Sequence, residues 1–223
     1  MPDYFAHIKE TDALLIIDPQ NDFCSGGALA VPGGDKIMPT INTIMLLPFR
    51  TRVASRDWHH QDQISFASNH EGTQPFSTIN VEYGEQVLWP DHCIAGTLGA
   101  EFHRDIVKSM FNAIISKGSN SLVDSYSAFF ENDHKTPTGL GGYLSELGIR
   151  RVYLTGLAYD FCVGYTAIDA VERHGLEAII VKDATASIDL NGSVAAIEER
   201  FKQVGVQTIT AAELVYHELL KAD

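Results

Sequence analysis

No stretch of this chain approaches the roughly 18 consecutive apolar residues that suggest a membrane-spanning helix. The opening residues, MPDYFAHIKETD, lack the basic segment and following apolar core of a secretory leader. The expectation is a protein neither exported nor embedded in a membrane. Cysteine is scarce: Cys24, Cys93 and Cys162 form an odd set of three, poor material for a disulfide framework and suited to a reducing compartment, so a cytoplasmic location is expected. Positive charge is also short. Sixteen Lys and Arg face 29 Asp and Glu, a net charge of -13, which repels nucleic acid and anionic membranes and leaves small molecules as the expected partners. Self-association stays open. No internal repeat, low-complexity segment or charged tail marks a second domain, and 223 residues with 45% hydrophobic content can bury the core of one α/β domain. Residues 1–223 are therefore expected to form a single domain.

What is present is a recurring alternation. Short apolar runs at 13–18, 51–57, 112–117, 151–157, 177–183 and 206–210, bounded by Gly, Pro or charged residues, predict six strands. Between them the periodicity predicts helices over 36–47, 141–147, 161–174 with Gly175 as its C-cap, 194–204 and 211–221. Strand and helix in turn imply a mostly parallel six-stranded sheet covered by helices on both faces. The stretch 58–111 fits this scheme badly. It is long, shows little periodicity and holds five histidines, and a loop of that length in a compact domain is read as an active-site wall.

Ligands in open α/β sheets bind at the carboxyl ends of the strands. Asp18 ends the first run, Asp57 and His59 follow the second, Lys117 ends the third and Cys162 lies just past the fourth. Each has an ordinary reading by itself: a turn residue before Pro19, a loop cap, a strand-end lysine, a buried thiol used as packing. Their arrival at one edge argues for chemistry. With Asp160 as N-cap, Cys162 falls in the first helical turn, where unpaired N–H groups and a nearby Lys lower a thiol pKa toward neutrality. Val163, Ala167, Ala170, Val171 and His174 form the buried stripe of that helix. A carboxylate, an ammonium and a thiol suffice for acyl transfer, with backbone N–H groups to bind the oxyanion.

In SRDWHH, Asp57 and His59 share one side of an extended segment while His60 points away. His92, from WPDHC, would complete an Asp/His/His set with positions left for water or substrate. Such a mixed oxygen and nitrogen set suits zinc, iron or manganese, and does not choose between them. Cys24 and Cys93 are read as packing, and His60 and His103 as ordinary loop residues.

Taken in order, LLIIDPQNDFCSGGALAVPGG, SRDWHH, WPDHCIAGTLGAEFH, IISKG with DSYSAF, and TGLAYDFCV resemble the bacterial nicotinamidases (pyrazinamidases) of the isochorismatase-like hydrolase superfamily, over about residues 12–210. The resemblance implies a three-layer α/β/α fold and an amidohydrolase that converts nicotinamide to nicotinate and ammonia in NAD salvage, with pyrazinamide as a second substrate. It implies Asp18, Lys117 and Cys162 as catalytic triad, and Asp57, His59 and His92 as ligands of one divalent ion, zinc ahead of iron or manganese. A further family position, His or Ser, falls near Ser65 and would reach the ion directly or through water. Phe23, Trp89 and Tyr126 match residues that wall the substrate ring, and Leu157 is expected to bind the substrate with them. Leu157 and Ala158 match a cis peptide beside an oxyanion hole made by the N–H groups of Ala158 and Cys162. Two alternatives remain: another cysteine amidase of the superfamily, acting on a small amide or carbamoyl compound without need of metal, and a non-catalytic scaffold. An isochorismatase proper would lack the cysteine nucleophile.

Overall fold

The computed structural model describes residues 7–219. Along these residues run the strands β1 (Asp12–Ile17), β2 (Thr51–Asp57), β3 (Thr78–Val81), β4 (Gly84–Val87), β5 (Ala113–Lys117), β6 (Arg151–Leu157), β7 (Glu177–Ala186) and β8 (Gln207–Ile209). The helices are α1 (Met38–Ile44), α2 (Leu140–Glu146), α3 (Gly164–His174), α4 (Ser193–Val204) and α5 (Ala211–Leu219). Six strands form one sheet in the order β5-β2-β1-β6-β7-β8, every neighbouring pair parallel. The six expected strands are these six.

β1 shows why the sheet has two cores. Its residues are buried throughout, and side chains alternate between faces. Ala13, Leu15 and Ile17 pack with residues of α2, α3 and α4, whereas Leu14 and Ile16 join the cluster containing α1 and Leu214 of α5. Each fully buried Leu or Ile contributes about 1.5–3 kcal/mol, so neither helical layer can be stripped without exposing half of this strand. The result is the expected three-layer α/β/α sandwich.

From β1 the chain builds outward through β2 to β5, then returns to lay β6 along the opposite edge of β1. This reversal opens a crevice at the carboxyl ends of β1 and β6. Gly156 lets the two strands meet there. Its φ is +107°, and a Cβ would overlap the carbonyl oxygen of Ile17, so only glycine fits.

Three segments differ from the sequence reading. The helix expected over 36–47 is a 3-10 turn, Gly34–Ile37, followed by α1, which ends at Ile44 before Pro48 disfavours helical backbone at the residue preceding it. The helix expected over 161–174 opens with a π-helical turn, Tyr159–Val163, whose N-cap is Ala158 and not Asp160. Asp160 lies within that turn, and its carboxylate accepts from the N–H groups of Ile188 and Asp189 and from the Ser193 hydroxyl, at 3.0, 2.7 and 2.6 Å. It therefore anchors the loop that leads into α4. In the stretch 58–111, β3 and β4 form an antiparallel hairpin where only loop was expected. Of the helix expected to end at Lys221, residues 220 and 221 lie outside the described residues.

Candidate active site

Asp18 follows β1 in the left-handed region, with φ 45°. Such a conformation is uncommon for a non-glycine residue and is found where the surroundings hold it in place. Here the Ser55 hydroxyl donates to Asp18 Oδ1 at 2.7 Å. From the end of β5, Lys117 extends fully buried into the same crevice. Its ammonium lies 3.0 Å from Asp18 Oδ2, donates to Asp57 Oδ1 and to the Ser125 carbonyl, the latter at 2.8 Å, and stands 3.4 Å from Cys162 Sγ. The register that places Asp57 opposite Lys117 on β2 and β5 fixes this meeting.

Burial and neighbouring charge set the ionisation here. Burial pushes Asp18 up to about 6 against the pull of Lys117. It acts the same way on Asp57, but there Lys117 and the imidazoles of His59 and His92 win and hold the carboxyl well below the usual range. Burial works against the Lys117 charge, yet Asp18 and Asp57 outweigh it and keep the ammonium protonated far above neutrality. The expected lowering of the Cys162 thiol is not what the surroundings produce. Burial drives it well above its ordinary value, Lys117 opposes, and Asp18 and Asp57 reinforce the rise. Cys162 rests as a thiol next to a carboxylate that can take its proton.

Asp57 Oδ2 lies 3.7 Å from His59 Nε2 and 3.9 Å from His92 Nε2, and the donor atoms of the three residues lie within 4.8 Å of one another. The Nδ1 of His59 meets the Gly118 carbonyl at 2.9 Å, and that of His92 meets the Pro90 carbonyl at 2.8 Å. These acceptors assign the ring protons to Nδ1 and turn both Nε2 lone pairs toward the Asp57 carboxylate, the arrangement in which histidines bind metal. His59 Nε2 is buried without a hydrogen-bond partner. The set therefore fits a divalent ion. Burial works to neutralise His59, but Asp57 and Asp124 outweigh it and push the free imidazole up to about 9; burial and the adjacent His59 push His92 down. Gly118, with φ 64°, is required beneath the ring, because a Cβ would overlap the His59 imidazole. His60, by contrast, is exposed.

Ser65 is fully buried and its hydroxyl has no hydrogen-bond partner. Its neighbour Phe66 packs against both imidazoles, with ring centroids 5.5 Å apart in each case. Cys24 and Cys93 are buried and unpaired in the hydrophobic core, and burial pushes both thiols up, Cys24 to about 12. That environment matches their reading as packing.

A small pocket joins the two groups. Phe23, Trp89, Tyr126, Ala158 and Cys162 line it together with Asp57 and His92. Leu157 does not; its side chain is buried in the core against Gly34. The Leu157–Ala158 peptide is cis.

Sequence reasoning missed Leu29, Asp124, Ser125, Phe161 and Ile188, which also line the pocket. It missed Gln20 as well, whose amide donates to the Asp57 carbonyl at 2.8 Å and accepts from the Asp57 N–H at 2.7 Å. Gln20, Asp124, Ser125 and Phe161 stand inside the quoted motifs, so their position was visible although their role was not.

A nicotinamidase of Acinetobacter baylyi is 48% identical over 203 residues, covering 91% of this chain and 94% of that protein. Among solved structures, a nicotinamidase/pyrazinamidase of Acinetobacter baumanii matches with TM-score 0.90 and 49% identity, covering 92% of this chain and 99% of its own. A pyrazinamidase of Pyrococcus horikoshii, solved in complex with zinc, matches with TM-score 0.71 and 33% identity over 90% and 99%. The Isochorismatase domain family matches residues 12–213, nearly the whole span from the first strand to the last helix, and the chain belongs to that family.

Proposed function

We propose that this protein hydrolyses nicotinamide to nicotinate and ammonia, with pyrazinamide as a second substrate, through a thioester on Cys162. One observation carries the reading: a single small pocket is lined at once by the Cys162 thiol and by Asp57 and His92 of the metal set. A pyridine ring bearing a carboxamide offers one group to each.

A divalent ion held by Asp57, His59 and His92, zinc ahead of iron or manganese, supplies a Lewis-acidic anchor for a ring nitrogen. The ring lies between Phe23 and Trp89, with Tyr126 beside it. Holding a small ring in this way sets the carboxamide carbon against Cys162, and such positioning can supply several kcal/mol of the barrier. Asp18 takes the thiol proton as sulfur attacks, and the N–H groups of Ala158 and Cys162 bind the oxyanion. Asp18 then hands its proton to the departing ammonia. In the second half it takes a proton from water, whose oxygen cleaves the thioester, and returns it to the Cys162 sulfur. Lys117 keeps Asp18 and Asp57 ionised and in register throughout. The reading places the enzyme in NAD salvage and, with three unpaired buried cysteines, in the cytoplasm; it treats residues 1–223 as one domain.

Ammonia release from nicotinamide, pyrazinamide and a carbamoyl compound, measured side by side, tests it. Turnover of the first two and not the third is expected. Turnover of the carbamoyl compound alone would favour a different cysteine amidase, and no turnover of any amide would favour a scaffold.

A further inference from the structure

Asp124 is a buried carboxylate that the steps above leave unused. It follows β5 in the loop DSYSAF and lines the substrate pocket. Backbone and side-chain donors fix its orientation: Oδ1 accepts from the Ser125 N–H at 2.8 Å and Oδ2 from the Gln86 amide at 3.1 Å. Oδ1 also stands 3.9 Å from His59 Nε2, nearly as close to that atom as Asp57 is. Yet Asp124 falls outside the group whose donor atoms all lie within 4.8 Å of one another.

Charge at the site is unequal without it being answered. Asp18, Asp57 and Asp124 are buried carboxylates, and Lys117 is the buried ammonium among them. Lys117 is committed to Asp18 and Asp57. Among the described residues, the cationic partner within ion-pair distance of Asp124 is His59 Nε2, the nitrogen that an ion would occupy. An ion on that nitrogen holds the imidazole neutral and so takes away the cationic partner of Asp124, and a buried carboxylate left unpaired is costly. The ion itself takes that partner's place.

We propose that Asp124 is an outer anionic partner of the divalent ion, neutralising it from beside His59 and accepting a hydrogen bond from solvent that the ion carries. The proposal rests on the metal reading above and adds a residue to it. Asp124 is a positioning residue: it acts on the ion's affinity and touches neither the thiol nor the reacting carbonyl.

The test is divalent-ion affinity of the full chain, measured by titrating Zn²⁺ into metal-stripped wild type and Asp124→Asn against a competing chelator. The expected result is a Kd about 10- to 100-fold weaker in the variant, the loss typical of outer partners of metal ligands. Equal affinity in the two proteins overturns the proposal while leaving the Asp57, His59 and His92 site intact. Failure of wild type to bind Zn²⁺ through His59, judged against His59→Ala, overturns both readings. Should Asp124→Asn not fold, the zinc-loaded wild-type crystal structure decides: one solvent molecule shared by the ion and Asp124 supports the proposal, and its absence contradicts it.

Discussion

Lys117 is the residue on which the rest of the site leans. It is wholly buried, yet its ammonium meets Asp18, Asp57 and the Cys162 sulfur. Removing one partner from a buried ionic group leaves uncompensated charge and costs about 3–5 kcal/mol. Lys117→Met is therefore expected to lose stability of that order in urea unfolding, and to lose activity even at temperatures where it stays folded; a loss under 1 kcal/mol would mean that the two carboxylates do not depend on it. Asp18 gives a second prediction. As the base it must be ionised, and burial raises it to about 6. A bound divalent cation pulls the other way. The acid limb of kcat/KM should then lie at or below pH 6, activity falling as Asp18 takes up a proton. A limb centred above pH 7 would contradict that assignment.

At the scale of elements, what could be read from the chain followed how its residues are buried. The six sheet strands were legible because apolar runs such as Ala13–Ile17 are buried on both faces, and α3 because its stripe recurs at helical spacing. The β3–β4 hairpin was not legible. Its strands lie mostly at the surface, and the buried residue among them is Gln86, so no apolar alternation announces it. That glutamine donates to both Asp124 and Tyr126, which ties the hairpin to the pocket. The π turn after β6 was hidden for another reason: a one-residue widening of a helix start leaves no trace in hydrophobic periodicity. Asp18, Asp57, His59, Lys117 and Cys162 could be named because strand ends converge at the crevice, and His92 from the WPDHC motif of the long loop, whereas Gln20 and Asp124 act through hydrogen bonds that no pattern encodes. The close approach of β1 and β6 gives the prediction at this scale. Gly156→Ala, by forcing a Cβ onto the Ile17 carbonyl at a positive φ, should cost on the order of 4 kcal/mol or more. A melting point within a few degrees of wild type would show that the strands can part without penalty.

Across the whole molecule, sheet, helices and loops serve to bring acidic groups together in a chain that already carries a net charge of -13. A cation bound to the folded state alone stabilises it by mass action, about 2.7 kcal/mol at a hundredfold excess over Kd. For a domain of this size that is roughly 5–11 °C in Tm. Chelation should lower the melting point by this order and Zn²⁺ should restore it; an unchanged melting point after verified metal loss would remove the ion from the account of stability. The central claim is the covalent one, that Cys162 carries the acyl group. Rapid quenching of the enzyme with nicotinamide, followed by mass spectrometry of its peptides, tests it most directly. The account predicts a nicotinoyl group on the peptide containing Cys162 and none on those containing Cys24 or Cys93. Full turnover by Cys162→Ala, or an acyl group on any other residue during turnover, would contradict it.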